Sequence, residues 1–432
     1  MLSSEVRRLF LSELKALGER AQRAVSHRDE ARRLFEELQC DGPIKTITPR
    51  SRRAESILSL ARHHDPSFPV LYGVDGGSTR PMHFEDGTTL CANQAVCVAD
   101  PPLRHRGVPL EAWRTIAIVS HSFQNVGEAR VVHYPTSLPL TPLSPLPRRG
   151  EGTGVRGYVS FWRIHLTKDF LEREVASIVK GLADVTSEPT HAQQMLELFD
   201  VREGLLLIDG ALYPIGLYYY LLGELKGEWG YRWGVRLSDR EDIVALLAAP
   251  VRLIEASVAR KIPIVAINKT LETTWLLRFC VRERRWASDR QFMTAVLSDT
   301  PRDSLGYTNW FVQEAYPSWE ERGSVIDLPK AIGDFGLVLE SEFYHVAFFY
   351  VYDPRVRSVL KVETPRAVFE FCEPERLQRV VLGEIARGRG VPNVLRKADS
   401  RARITQEERE ALMRACGLDP DYYYNLSRGE PL

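Results

Sequence analysis

Two short apolar runs in this chain stop abruptly at an acid followed by glycine. Val70-Leu71-Tyr72-Gly73-Val74 runs into Asp75-Gly76-Gly77-Ser78, and Leu205-Leu206-Leu207-Ile208 runs into Asp209-Gly210. Runs this short and this apolar read as buried strands, and the glycine lets the chain turn away without steric cost. A carboxylate set at the end of such a strand is partly desolvated. Each aspartate therefore calls for a cation, a hydrogen-bond donor or a metal nearby.

The rest of the pattern surrounds these two strands. An apolar stripe through Val6, Leu9, Phe10, Leu14 and Leu17, continued by Leu34, Phe35 and Leu38, predicts one or two helices and an N-terminal helical arm over 1–67. Strands are predicted over 68–74, 90–99, 115–119 and 129–133, with a hairpin turn at Asp86-Gly87. Consecutive strands of this kind point to an antiparallel part of a mixed sheet. Residues 135–157 are proline-rich and then glycine-rich, which suits a surface insertion, and the strand pattern resumes at 158–164. Beyond it, elements alternate: a helix over 167–182, the Asp209 strand, a helix over 240–260, a strand over 262–268 and a helix over 271–284. Late strands over 337–339, 345–352 and 358–363 precede a C-terminal helical region, with helices over 375–386 and 406–416. The alternation predicts an α/β layered fold, with one large domain over 68–418 and a tail over 419–432.

Composition narrows the function classes. Across 432 residues, Lys plus Arg and Asp plus Glu are 57 each, so a strongly basic, nonspecific nucleic-acid binder is not indicated. Arginines nevertheless gather near the start, at Arg278, Arg282, Arg284 and Arg285, and from Arg387 to Arg403. None of the six cysteines forms a C-x-x-C pair, so structural zinc is not expected. Reduced thiols in a cytoplasmic protein are the simplest expectation. The apolar stretch over 205–223 contains Asp209, Gly210 and Pro214, which favours a buried strand and turn over a membrane span.

Two acids delivered by neighbouring strands suit a shared pair of divalent metals, and metal pairs cut phosphodiester bonds. The plainer reading of each is an Asx-turn or cap aspartate. Hard cations want further oxygen ligands. In the helix over 167–182 the apolar stripe runs through Leu171, Val175, Ile178 and Leu182; Glu174 lies at its border and Glu172 well off it, so Glu174 is the candidate third acid. Lys269 ends the strand over 262–268, where it suits a phosphate or a solvent-facing terminus equally. Asp399, in Arg396-Lys397-Ala398-Asp399-Ser400-Arg401 and read as lying just before a helix, is either a cap or a fourth ligand. The histidines show no metal-ligand spacing.

The series Gly73-Val74-Asp75-Gly76-Gly77-Ser78, Leu207-Ile208-Asp209-Gly210-Ala211-Leu212, Val265-Ala266-Ile267-Asn268-Lys269, Lys361-Val362-Glu363-Thr364-Pro365 and Gly390-Val391-Pro392-Asn393-Val394-Leu395-Arg396-Lys397-Ala398-Asp399 resembles the NurA nuclease family. The resemblance implies a ribonuclease H-like mixed sheet flanked by helices. It implies Asp75 and Asp209 as metal ligands, with a helix glutamate between them, placed at Glu174 with Glu197 as the fallback. It further implies two Mn²⁺ or Mg²⁺ ions, with Asp399 as a further ligand and Lys269 beside the phosphate. The implied substrate is DNA, especially single-stranded ends, and the implied partner is a HerA-type hexameric ATPase in end resection and double-strand break repair, with a homodimeric nuclease. Three positions depart from the family: Val391 replaces a tyrosine, Asp399 a histidine and Lys361 a common arginine. The first two support an alternative, a non-catalytic partner of that ATPase. Another alternative is an actin-like ATPase or sugar kinase, whose first phosphate loop Gly73 to Thr79 also resembles. A late Gly-Gly adenosine motif is missing, since Gly76-Gly77 is the one Gly-Gly pair.

Overall fold

A computed structural model describes residues 4–24, 28–40, 42–49, 51–85, 88–105, 108–109, 114–122, 128–136, 158–166, 172–215, 235–237, 240–271, 273–281, 285–317, 325–326, 340–415 and 417. The proline-rich segment beyond residue 136, the strand expected over 337–339 and the 419–432 tail lie outside the described residues.

The chain opens with helices α1 (Ser4–Ala24) and α2 (Arg28–Glu36), strands β1 (Ile44–Thr46) and β2 (Arg52–Ser56) and helix α3 (Ile57–Arg62). Strands β3 (Leu71–Ser78), β4 (Thr88–Asp100), β5 (Arg114–Ser122), β6 (Glu128–Thr136) and β7 (Tyr158–Leu166) follow. Helix α4 (Glu172–Leu198), β8 (Leu205–Asp209), β9 (Val235–Leu237), α5 (Arg240–Ala259) and β10 (Ile264–Asn268) form the middle. Helix α6 (Asp289–Leu297), strands β11 (Ser304–Thr308), β12 (Phe311–Gln313), β13 (Val346–Asp353) and β14 (Ser358–Pro365), and helices α7 (Pro374–Gly388), α8 (Asn393–Ala402) and α9 (Gln406–Ala415) close it.

One mixed sheet organises these elements, in the order β1-β12-β13-β14-β10-β8-β3-β4-β5-β6-β7-β9. At its centre β5, β4 and β3 run antiparallel, and β3, β8 and β10 run parallel. Three antiparallel strands joined through the first of them to two parallel ones is the ribonuclease H-like arrangement. Burial explains why β8 and β10 read as unbroken apolar runs. Leu205, Leu206 and Leu207, and Ile264 through Ile267, are buried, as parallel strands covered on both faces require. Residues 1–67 also contribute to this sheet, since β1 pairs with β12 and β2 with β11.

Two large apolar cores result among the described residues, beside a small cluster of Met82, Phe84 and Leu90. The larger fills the space between the sheet and helices α4, α5, α7 and α8. The smaller, around Phe35, Phe292, Phe311 and Phe348, lies beneath α2 and α6. No helix among the described residues is long and apolar enough to cross a membrane.

Three sequence expectations need correction. Helix α4 does not stop near 182; it continues through Pro189 to Leu198. Among its described residues, the helix expected over 271–284 is reduced to residues 275–281, of which Leu277–Val281 form a π-helical turn. Asp399 does not precede a helix but lies inside α8, whose buried Val394, Leu395, Ala398 and Ala402 make a short apolar stripe.

Candidate metal centre

The strand register brings the two aspartates together. Val74 pairs with Ile208 across the parallel β3/β8 ladder, so Asp75 and Asp209 come level on adjacent strands, about 4.8 Å apart in the pairing direction. Each glycine around Asp75 admits a specific neighbour. A Cβ at Gly73 would lie 2.7 Å from the Val394 carbonyl oxygen, and one at Gly77 would collide with the Ala402 carbonyl. Both contacts belong to α8, whose backbone therefore rests directly on β3, with Asp399 over the strand. A Cβ at Gly76 would instead strike the carboxylate of Glu188 on α4. Successive strand residues face opposite ways, so α8 covers the face that Asp75 shares with Gly73 and Gly77, and α4 brings Glu188 to the other face.

Charge is left unbalanced here. The Asp75 carboxyl is pushed up to about 7, chiefly by burial and next by Asp209, with Asp399 adding and the Gly76 N–H and Lys269 opposing. That N–H donates to Asp75 Oδ1 at 2.8 Å. Glu188 keeps an edge in contact with solvent, yet its carboxyl is enclosed. Burial, then Asp75, Asp184 and Asp209, pushes it well above the usual carboxylate range. One turn earlier on α4, Asp184 is raised by burial but held by Lys180 Nζ at 2.8 Å, Ser78 Oγ at 3.4 Å and the Asn93 amide. The Lys269 ammonium contacts Asp209 Oδ2. A cavity of about 240 Å³ opens beside Asp184, Glu188 and Asp209, walled by apolar residues such as Val185, Leu253 and Ile254.

The donor set suits a hard divalent cation: carboxylate oxygens that repel one another and lack enough protein cations to balance them. In this conformation no group of three or more acid, histidine or cysteine side chains among the described residues is already set to hold an ion. Lys269 supplies a counter-charge in its place.

The family model of the NurA domain matches residues 191–404. This chain carries a NurA domain. Asp209, Lys269 and Asp399 fall inside the matched span, whereas Asp75 and Glu188 precede it and reach it only through the fold. No curated protein matches the sequence. Among solved structures, the NurA nuclease from Sulfolobus solfataricus is 11% identical, with 96% of this chain and 97% of that one covered and a TM-score of 0.45. A NurA with manganese is 10% identical, covering 93% and 97%, with a TM-score of 0.45. A NurA bound to dAMP and manganese is 10% identical, covering 96% and 98%, with a TM-score of 0.42.

At the acid cluster the structure gathers Asp75, Asp209, Lys269 and Asp399, but neither glutamate chosen from sequence. Glu174 lies four turns before Glu188 on α4, on the order of 20 Å along the helix axis. Glu197 is exposed and accepts a hydrogen bond from Gln193 at 2.9 Å. Glu188 is the helix acid that reaches the aspartates. Asp399 is half-exposed and paired with Arg403 Nη2 at 2.7 Å. Several arginines of the basic clusters serve the fold: Arg285 contacts Glu30, and Arg387 donates to the Ala61 and His63 carbonyls.

Proposed function

We propose that this chain is a divalent-metal-dependent deoxyribonuclease. One observation carries the reading: Asp75, Glu188 and Asp209, from three separate elements, repel one another at one point of the sheet. A fold leaves such repulsion standing where a bound cation offsets it. Asp75, Glu188 and Asp209 would hold Mn²⁺ or Mg²⁺, with Asp399 within electrostatic reach and two ions the expected number. Bound metal supplies a water of lowered pKa for in-line attack on phosphorus and a counter-charge for the leaving oxygen. Lys269 pairs with Asp209, and with a cation on that carboxylate its ammonium would stabilise charge on a phosphate oxygen. Val391, where the family has tyrosine, offers no hydroxyl to the substrate.

The NurA domain supports the finer parts of the proposal: action on single-stranded DNA ends in resection and double-strand break repair, partnership with a HerA-type hexameric ATPase, a homodimer and a cytoplasmic location. The exposed Leu9, Phe10, Leu11 and Leu14 on α1 suit a contact with another subunit. The direct test is cleavage of end-labelled single-stranded DNA in Mn²⁺ by wild type, Asp75→Ala and Asp209→Ala. Loss of cutting in both variants is expected; unchanged cutting in both removes the mechanism.

A further inference from the structure

Beneath the acid cluster lies a buried ion pair that the chemistry above does not use. Lys361 and Glu363 are two residues apart on β14 and share one face of the strand. Lys361 Nζ lies 2.7 Å from Glu363 Oε1, and the two side chains are only 3% and 7% exposed. Nothing about such a pair recommends it for stability alone, because desolvating two charges offsets most of their attraction. Its remaining contacts are directional. Glu363 Oε2 accepts the Leu212 N–H at 2.9 Å, which fixes the turn that leaves Asp209 through Gly210. The Lys361 ammonium lies 4.3 Å from the Phe348 ring centroid and 5.3 Å from that of Trp275. Its field also acts on buried Asp289, which accepts the Leu276 and Leu277 N–H groups and the Thr273 hydroxyl. Those residues follow Lys269 in the chain.

One buried cation thus lies between two anchored turns, one leading out of Asp209 and the other out of Lys269. We propose that Glu363 is a positioning residue for the metal centre: it holds the Asp209 turn by its Leu212 N–H before any cation arrives, and Lys361 balances its buried charge. This rests on the metal-site reading above. Outer partners of metal ligands typically change affinity by about 10- to 100-fold.

The test compares two double variants with matched charge. Lys361→Met with Glu363→Gln removes both charges but keeps an oxygen for the Leu212 N–H. Lys361→Met with Glu363→Met removes the acceptor as well. Mn²⁺ dissociation constants are read from the electron paramagnetic resonance signal of free ion, at a temperature where circular dichroism shows each protein folded. The Met/Gln protein should bind within about 3-fold of wild type, and the Met/Met protein about 10- to 100-fold more weakly. With saturating Mn²⁺, the Met/Met protein should show lowered kcat on single-stranded DNA at unchanged KM. A purely structural pair would lower the melting temperature and leave these readouts alone. Wild-type affinity in the folded Met/Met protein overturns the positioning role. If that protein does not fold, amide exchange in metal-free wild type decides. Slow exchange at Leu212 supports the anchor, and exchange at the rate of an exposed loop overturns it. Failure of wild type to bind Mn²⁺, or undiminished binding by Asp209→Asn, overturns the metal site and this inference with it. Intact wild-type binding beside an unaffected Met/Met protein overturns this inference alone.

Discussion

Asp353 and Asp75 are both aspartates on strands of the same sheet, and the protein surrounds them differently. Asp353, at the end of β13, is completely buried and fully answered. The Arg355 backbone N–H and Nε both donate to its Oδ1 at 2.9 Å, and Nη2 donates to its Oδ2 at 2.7 Å. The same guanidinium reaches the Ile385 and Ala386 carbonyls, which ties β13 to α7. Asp75, on β3, receives one backbone N–H and faces acids that the charge of Lys269 only partly offsets. Balanced charge joins elements together in the first case. In the second, imbalance persists where three elements converge, and under the proposed reading that imbalance marks an acid kept for chemistry.

The comparison is broken most directly at the unbalanced end. Glu188→Gln should lower Mn²⁺-dependent cleavage by about 100-fold or more, on the order of 3 kcal/mol of transition-state stabilisation. The metal-free melting temperature should hold or rise, because a repelled charge is gone. A variant that cuts normally would show Glu188 to be a bystander. Asp353→Ala should behave in the opposite way, losing about 3–5 kcal/mol of stability in urea denaturation while cutting at the wild-type rate per folded molecule. A loss under 1 kcal/mol would mean that the Arg355 network is ornamental.

The glycines test whether α8 must rest on β3. Gly77→Ala drives a methyl into the Ala402 carbonyl and should cost roughly 1–3 kcal/mol, while displacing Asp399. Gly181→Ala, at an exposed position of α4 with nothing within 4 Å of the added carbon, should stabilise by about 1 kcal/mol. Equal effects at the two positions would contradict the close approach. The smallest effect concerns pH. Arg376 donates to Asp65 at 2.6 Å and holds that carboxyl well below the usual range. Its folded pKa is depressed, so its contribution is present above the unfolded value of about 3.9 and lost as pH falls through the range below it. Melting temperatures from pH 6 to 3 should fall less steeply in Asp65→Asn than in wild type. Parallel curves would remove this pair from the acid response.

The aspartates were legible because apolar strands advertise their ends, and the glycines beside Asp75 marked a crowded backbone. Glu188 was not, for two physical reasons. Pro189 follows it, and a residue before proline is biased away from helix, so 186–190 reads as a break. The buried face of α4 is also partly polar there. Thr186 and Ser187 are buried, with Thr186 Oγ1 donating to the Leu182 carbonyl and Ser187 Oγ to that of Asp184. Hydrogen bonds to the preceding turn thus make a core-facing stretch look like loop. Helix α8 was obscured in a similar way, because Asp399-Ser400 resembles a cap rather than a helix interior. The antiparallel part of the sheet followed from its consecutive strands, whereas the addition of β1 and β2 to its far edge depends on partners more than 200 residues away, which local pattern does not encode.

The pairing of β3 with β8 closes a stretch of more than 100 residues, most of it a β-meander and one long helix. Contacts so distant along the chain form late and slowly during folding. A nascent polypeptide therefore carries Asp75 and Asp209 apart until synthesis has passed Asp209, and the acid cluster arrives only with the finished sheet.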